Sequence, residues 1–477
     1  MNYKLMLRMM GRTLELEALC ILLPLAVCLI YREDPLPFVF TCIPVAVVGF
    51  LLSRIPSQAA FFSREGFVLV GFIWVVLCLI GSLPFLLSGC FNSFFDCLFE
   101  IVSGFTTSGA TILTDIESLP RGILFWRSFS SWIGGMGVLL FTLAFLPKVV
   151  ARGHVLLQAE LPGPVATKLV PKTVQSSQIL YLIYFALTGL EIIAFLLAGM
   201  PLYDAVVTTF ASVCTGGFAV MNASFAAYNT ACQIIAIVFM ILASLNFALF
   251  FMVVTGRARQ AFRSDELKFF LGAIAVGSLL VFWNILPLYD NLGRALLDAV
   301  FQVASIISTS GFCTADYNLW PPFAQTLLLL LMFVGGCSGS TSGSIKCGRI
   351  LLLLRSSLRS LLRLSHPRAV KVVKLDGKAV DEVTLNNVFS FFILFFLLLG
   401  GGCLVVSLDG YSLTTSFTAT LGCLTNVGPG LDGVGPVGSF SALSSLSKLV
   451  LSLFMLVGRL ELFPILLLFH PATWEHS

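Results

Sequence analysis

Charge is scarce in this chain: of 477 residues, 28 are Lys or Arg and 24 are Asp or Glu, 11% in all. Soluble domains carry about 25%, so a water-soluble globular fold is excluded. Histidine is scarcer still, with His154, His366, His470 and His476 and no HExxH or paired-aspartate motif. The 13 cysteines form no CxxC or Cys/His cluster and are scattered through apolar stretches, where cysteine behaves as a small hydrophobe. A disulfide framework, a zinc site and an intramembrane enzyme are all disfavoured on these grounds. A P-loop and a GxGxxG phosphate loop are lacking too, so no organic cofactor is expected in this chain and nucleotide control has to come from a partner. Nucleic acid is not an expected partner. The apolar runs lack strict alternation, which excludes a transmembrane β-barrel. After the first of them comes Tyr31-Arg32-Glu33-Asp34-Pro35 instead of a small-residue cleavage site, so the N-terminus reads as a retained helical hairpin.

What the chain has is apolar length: 58% hydrophobic residues and a mean hydropathy of +0.98. Runs at 67–87, 125–146, 179–197, 234–254, 269–286 and 389–408 approach or exceed the roughly 20 residues that cross a bilayer. Lys and Arg set the orientation. With the N-terminus inside, Lys4, Arg8, Arg12, Arg54, Arg64, Lys148, Arg152, Lys168, Lys172, Arg257, Arg259, Arg263, Lys268 and the basic run from Arg349 to Lys378 are all cytoplasmic. Only Arg32, Arg121, Arg127, Arg294 and Lys448 fall outside. The reading is an all-α polytopic protein of a bacterial cytoplasmic (inner) membrane, N-terminus inside, with basic segments at the lipid headgroups.

Past the hairpin the chain cycles four times through a long apolar helix, a shorter segment, a Thr/Ser/Gly loop and another apolar helix. The loops are Thr106-Thr107-Ser108-Gly109-Ala110, Cys214-Thr215-Gly216-Gly217-Phe218, Ser308-Thr309-Ser310-Gly311-Phe312 and Thr425-Asn426-Val427-Gly428-Pro429. Thirteen residues before Gly109, Gly217, Gly311 and Gly428 stand Asp96, Asp204, Asp298 and Thr415. Each short segment is about twelve residues, which at roughly 1.5 Å per residue can enter a bilayer halfway but not cross it. The aspartates are expected to cap the starts of these half-helices. Irregular backbone at membrane depth is tolerated where it is buried or lines an aqueous path, and four such loops can surround one axis. Glycine lets carbonyls turn inward, a carbonyl ring can replace the water shell of a monovalent cation, and Thr and Ser hydroxyls add oxygens. The pattern predicts a cation filter with fourfold pseudosymmetry. Its units are a hairpin over 1–58 and pore repeats over 59–148, 149–256, 257–364 and 365–477.

SGFTTSGATIL, RSFSSWIGGMGVLLF, CTGGF, STSGFCTADYN, GGCSGSTSGSIKCGRI, TNVGPG and VGRLELFP together resemble the Trk/Ktr/HKT superfamily of potassium uptake proteins, over nearly the whole chain from Phe67. The N-terminal hairpin is similar to the extra helices of its bacterial Trk branch. The resemblance implies a K⁺ filter lined by Thr107, Ser108 and Gly109; Thr215, Gly216 and Gly217; Thr309, Ser310 and Gly311; and Asn426, Val427 and Gly428. The K⁺ ligands it implies are the first two residues of each triplet. In plant relatives a serine in place of the first of these glycines accompanies sodium preference, so Gly109 points to potassium. A Na⁺-permeable or Na⁺-coupled member is the alternative. The fourth loop departs most, with Asn426-Val427 where the others carry Thr, Ser or Gly.

A glycine-rich stretch, Gly335-Gly336-Cys337-Ser338-Gly339-Ser340-Thr341-Ser342-Gly343, interrupts an otherwise long apolar helix and cannot sustain it. The resemblance implies an intramembrane gate there, using Gly335, Gly336, Ser338, Gly339, Ser340 and Gly343. Arg459 lies mid-span, where an ionisable residue is a functional candidate, and reads as a pore-facing charge beneath the filter. Lys346 closes the loop, with a cytoplasm-facing position as the alternative. AVKVVKLDGKAVDEV reads as a β-hairpin turning at Asp376-Gly377 that offers an edge to a cytosolic partner. The resemblance implies a nucleotide-binding regulatory subunit of the TrkA type and a homodimer. Passive flow and H⁺ symport are both open, and Glu100, beside the first filter helix, is a candidate for coupling or for structure.

Overall fold

The computed structural model describes residues 3–56, 63–137, 173–366 and 371–473. Among them, six helices are long and apolar enough to cross a membrane: Tyr3–Tyr31, Leu36–Ser53, Glu65–Ser88, Ser177–Leu197, Asp265–Leu288 and Glu382–Ser407. Their apolar side chains are widely exposed; only 28% of the Glu382–Ser407 window is buried inside the protein. Lipid solvates that surface at no hydrophobic cost, so burial is left to the elements they surround. Part of the 125–146 run forms the helix Arg121–Gly135. Residues 138–146 of that run lie outside the described residues, as do Lys148, Arg152, Lys168, Lys172, His154, His476 and the 58/59 and 148/149 boundaries.

The 234–254 run is not one helix. It forms Thr230–Ala243 and Phe247–Val254, bent by 92°. Asn246 caps the second piece by accepting from the Ala248 amide at 2.9 Å. The carbonyls of Ala243 and Ser244 accept from the amides of Thr341 and Cys337, in the stretch that interrupts the later helix. Backbone pairing with that stretch outcompetes a continuous helix, and apolar composition alone carries no trace of it.

Two helices form the N-terminal hairpin, Tyr3–Tyr31 and Leu36–Ser53. Close approach requires glycine here: a Cβ on Gly11 would lie 2.4 Å from the Ser53 nitrogen. Glu33, in the turn, accepts from the amides of Arg121 and Gly122 at 2.8 Å each and so docks the hairpin on the start of the helix Arg121–Gly135.

The half-length segments are helices Phe94–Phe105, Leu202–Val213, Leu292–Ile307 and Leu413–Leu424. Three have 12 residues and the third has 16, because Asn291 starts it a turn early by accepting from the Gly293 and Arg294 amides. The aspartates do not cap. Ser93, Asn291 and Ser412 supply the side-chain caps, and Pro201 occupies the fourth position without one. Asp96 instead accepts from Lys448 at 2.6 Å, Asp204 from the Tyr228 hydroxyl at 3.1 Å, and Asp298 from Arg294 and Thr314. Thr415 lacks a carboxylate, and Asp432 from the loop beyond the filter supplies one, accepting from its hydroxyl at 2.7 Å. The Ser412 and Thr415 hydroxyls hold the Asp432 carboxyl below its ordinary range. The shared offset therefore marks side-chain pairing rather than capping: Asp96 reaches a distant helix, while Asp298 pairs within its own helix and the loop that follows it.

After the helix Cys347–Ser365, Lys374–Leu375 and Lys378–Ala379 pair antiparallel around Asp376-Gly377, as the turn chemistry predicts.

Candidate functional site

Each half-helix ends in the same way. Thr107, Thr215, Thr309 and Asn426 take left-handed φ values of 55°, 56°, 60° and 54°. Their amides bond back to Gly104, Ser212, Ile306 and Cys423, while the next amides reach Ser103, Ala211, Ser305 and Gly422. This is the Schellman pattern, which ordinarily places glycine at the left-handed position. A β-branched residue there is uncommon, at about 1–2 kcal/mol each. Three threonines in one strained conformation point to a constraint beyond helix termination. Asparagine tolerates that conformation better, so Asn426 preserves the backbone path that its side chain seemed to threaten.

Two residues on, Gly109, Gly217, Gly311 and Gly428 have φ of 75°, 67°, 78° and 90°. A Cβ on Gly109 would lie 2.7 Å from the Gly216 carbonyl oxygen, and on Gly217 1.7 Å from that of Ser310. On Gly311 it would lie 2.3 Å from the Val427 oxygen, and on Gly428 2.4 Å from that of Ser108. Each loop thus packs its glycine on the carbonyl of the next, and the fourth returns to the first. Ser108, Gly216, Ser310 and Val427 contribute equivalent oxygens to one closed ring, and the half-helices bring four negative C-terminal ends toward it.

The neighbouring side chains are engaged elsewhere. Ser108 and Ser310 bond to Thr106 and Ser308 at 2.9 Å, and Thr215 donates to the Cys214 carbonyl at 2.7 Å. Thr309 accepts from the Gly343 amide at 2.7 Å, and Asn426 donates to Ser108 Oγ at 2.6 Å and to the Met455 carbonyl at 3.0 Å. Backbone oxygens, not hydroxyls, are what the four loops hold in common.

Behind the ring sits a buried ion pair. Arg127 is 2% exposed and its Nε donates to Glu100 at 2.6 Å, its Nη1 to the Ala219 carbonyl at 3.1 Å, with the guanidinium 3.6 Å over the Phe218 ring. Glu100 also accepts from the Thr111 hydroxyl and the Ile112 amide. One pair therefore ties the segments following the first two loops together. Arg127 is thus buried in an ion pair, and so is Lys448, against Asp96. Arg127→Ala strands a buried carboxylate and is expected to lower stability by about 3–5 kcal/mol, read as a lower thermal midpoint in detergent. A cavity of about 70 Å³ lies over the ring, lined by Gly109, Gly217, Gly311, Arg127 and Pro429.

Beneath the loops runs the interrupting stretch, between helices Pro322–Val334 and Cys347–Ser365. Gly335, Gly339, Ser344 and Lys346 adopt positive φ. Besides the Gly343–Thr309 bond, the Ser344 amide donates to the Thr425 carbonyl at 2.8 Å and the Thr341 hydroxyl to the Val213 carbonyl at 3.2 Å. It therefore touches the ends of three half-helices. Gly336 is pressed on the Ser342 hydroxyl, and Ser340 folds back on the Cys337 carbonyl at 2.6 Å. Ser338 bonds to Glu266.

Arg459 supplies the fourth contact. Its guanidinium donates to the carbonyls of Thr341 (2.6 Å), Gly134 (2.7 Å) and Gly135, and lies 3.4 Å from the Thr107 hydroxyl. Glu461, two residues on, points away and pairs with Arg349 in the first turn of the helix Cys347–Ser365. Lys346 is buried, not cytoplasm-facing, and its ammonium donates to the Ser342 carbonyl.

Long helices enclosing four re-entrant ones whose loops close a carbonyl ring define a membrane protein for cation transport. The family model described as TrkH, cation transport protein, matches residues 37–475, and the chain belongs to that family. It is 37% identical over 488 residues to the Trk system potassium uptake protein TrkH of Salmonella typhimurium and 36% identical to that of Escherichia coli K12, covering 100% of both chains in each case. The E. coli protein TrkG is 35% identical, with 99% of each chain covered. The crystal structure of the potassium transporter TrkH from Vibrio parahaemolyticus superposes with a TM-score of 0.89 at 34% identity, over 100% of both chains.

Proposed function

We propose that this chain is the K⁺-translocating pore subunit of a potassium uptake system. The observation that carries the reading is the closed ring of Ser108, Gly216, Ser310 and Val427 carbonyls, held by glycines that leave no room for a Cβ. A dehydrated cation exchanges its water shell for such oxygens, and four half-helix C-termini add negative potential beneath them. K⁺ passes Thr107, Ser108 and Gly109; Thr215, Gly216 and Gly217; Thr309, Ser310 and Gly311; and Asn426, Val427 and Gly428. The stretch 335–343 then gates the pore, held closed by Arg459 and Lys346. The hairpin and four repeats, bounded at 58, 148, 256 and 364, are the units of assembly. The protein lies in the bacterial cytoplasmic membrane with its N-terminus inside, following its cytoplasmic lysines and arginines. It works as a homodimer with a nucleotide-binding regulatory subunit of the TrkA type at its cytoplasmic face, and the relatives' name, a Trk system, supports a multi-component assembly.

The pairing of Glu100 with Arg127 and two further donors supports a structural role for that carboxylate over H⁺ coupling. Proteoliposomes holding the full chain are expected to take up ⁸⁶Rb⁺, with unlabelled K⁺ competing and equimolar Na⁺ competing far less. Equal competition by Na⁺ would replace this reading with a Na⁺-permeable pore.

A further inference from the structure

Two adjacent acidic residues at the start of the helix Asp265–Ile285 hold two different parts of the molecule. One oxygen of the buried Glu266 carboxylate accepts from the Ser338 amide at 2.6 Å, the Ser338 hydroxyl at 2.8 Å and the Gly348 amide at 2.9 Å. Ser338 lies in the interrupting stretch and Gly348 in the first turn of the helix after it. A single oxygen thus pins both arms of that stretch. Its neighbour, Asp265, reaches the cytoplasmic hairpin instead. Asp265 Oδ2 accepts from Arg355 at 2.8 Å and from the Asp376 amide at 3.0 Å, while the Asp265 amide donates to Asp376 Oδ1 at 2.6 Å. Arg355 also donates to the Lys374 carbonyl at 2.5 Å.

We infer that Asp265-Glu266 is a relay joining the hairpin to the gate, with Glu266 the positioning residue that holds 335–348 under the filter; this rests on the reading of that stretch as a gate. The two Cα atoms flank one planar peptide in the first turn of a helix, so a displacement that drags Asp265 is carried to Glu266. The ends of the relay differ in access. The Arg355 and Asp265 side chains are 34% and 27% exposed, whereas Glu266 is 8% exposed. Input therefore comes from the cytosolic end. Glu266 makes charge-assisted bonds, each among the stronger kinds. Losing it leaves the buried Ser338 and Gly348 amides without an acceptor, which loosens the stretch rather than merely weakening one contact.

A double-mutant cycle on the full chain in proteoliposomes, without any partner, tests the relay. Asp376→Gly keeps the positive φ of 50° at that position and removes only the acceptor; Asp376→Asn keeps an acceptor and should behave as wild type. Glu266→Ala and Asp376→Gly are each expected to raise ⁸⁶Rb⁺ flux roughly threefold or more, with the double variant no higher than Glu266→Ala, as for residues acting in one network. Multiplying effects would overturn the relay, as would an Asp376→Gly variant with wild-type flux. Hydrogen exchange gives a second readout independent of flux. Peptides covering 335–348 should exchange faster in Asp376→Gly, although 28 to 41 residues separate them from the substitution, and unchanged exchange there refutes the relay. If Arg459→Ala raises flux while Glu266→Ala does not, the relay alone fails; if neither does, the gate reading fails with it.

Discussion

Gly217→Ala is expected to abolish ⁸⁶Rb⁺ flux in protein that still inserts and purifies. The new Cβ would sit 1.7 Å from the Ser310 carbonyl oxygen, far inside contact distance. Backbone, not a flexible side chain, would have to move. To that is added the left-handed φ of 67°, worth about 1–2 kcal/mol against any residue with a Cβ. Displacing the Ser310 oxygen removes one quarter of the ring and breaks the contact that positions the next quarter. A combined loss of ~3–4 kcal/mol in ion stabilisation corresponds to a ~100- to 1,000-fold fall in flux. Gly109→Ser is the milder case, because its Cβ would meet the Gly216 oxygen at 2.7 Å. It should reduce flux less and shift Rb⁺ against Na⁺ preference more. If Gly217→Ala transports at the wild-type rate, these oxygens are not the ion's ligands.

Arg459→Ala is expected to raise basal flux about tenfold, in the opposite direction to the glycine variants. Arg459 bridges the Thr341 carbonyl of the interrupting stretch to the Gly134 carbonyl of the helix Arg121–Gly135, so on the proposed gate reading its removal frees that stretch and deletes a positive charge from the pore. Arg459→Lys should recover little of the closure. A single ammonium is a point charge on a flexible stem and cannot span the carbonyls that the planar guanidinium fork reaches together. Flux unchanged in Arg459→Ala would remove this residue from the gate.

Spacing made the repeats legible. Four glycines with matched residues thirteen positions earlier located every half-helix, and glycine density located the interruption after Val334. Legibility stopped where a residue's role depends on another segment. The charge of Arg127 sat in an apolar run, and its partner Glu100 was visible, but nothing in the spacing joined them. The bend at Ser244-Leu245-Asn246 depends on amides nearly a hundred residues later. Asp96, Asp204 and Asp298 were correctly grouped and wrongly assigned, since a helix start offers a ready explanation for any acid while lateral partners such as Lys448 lie far along the chain. Glu266 was missed because an acid beginning a helix carries no mark of the loop it holds. Asn426-Val427 misled in the other direction, since different side chains there keep the same φ of 54° and the same oxygen.

Because the ring is written four times within one polypeptide, its quarters are separately heritable. In a pore of identical subunits every substitution alters all four oxygens together, and the ion meets either the old ring or a wholly new one. Here a substitution enters one quadrant at a time, and its effect passes only to the neighbour whose carbonyl the glycine packs against. The fourth quadrant already differs in this way, with an Asn-Val pair where the others carry Thr-Ser or Thr-Gly.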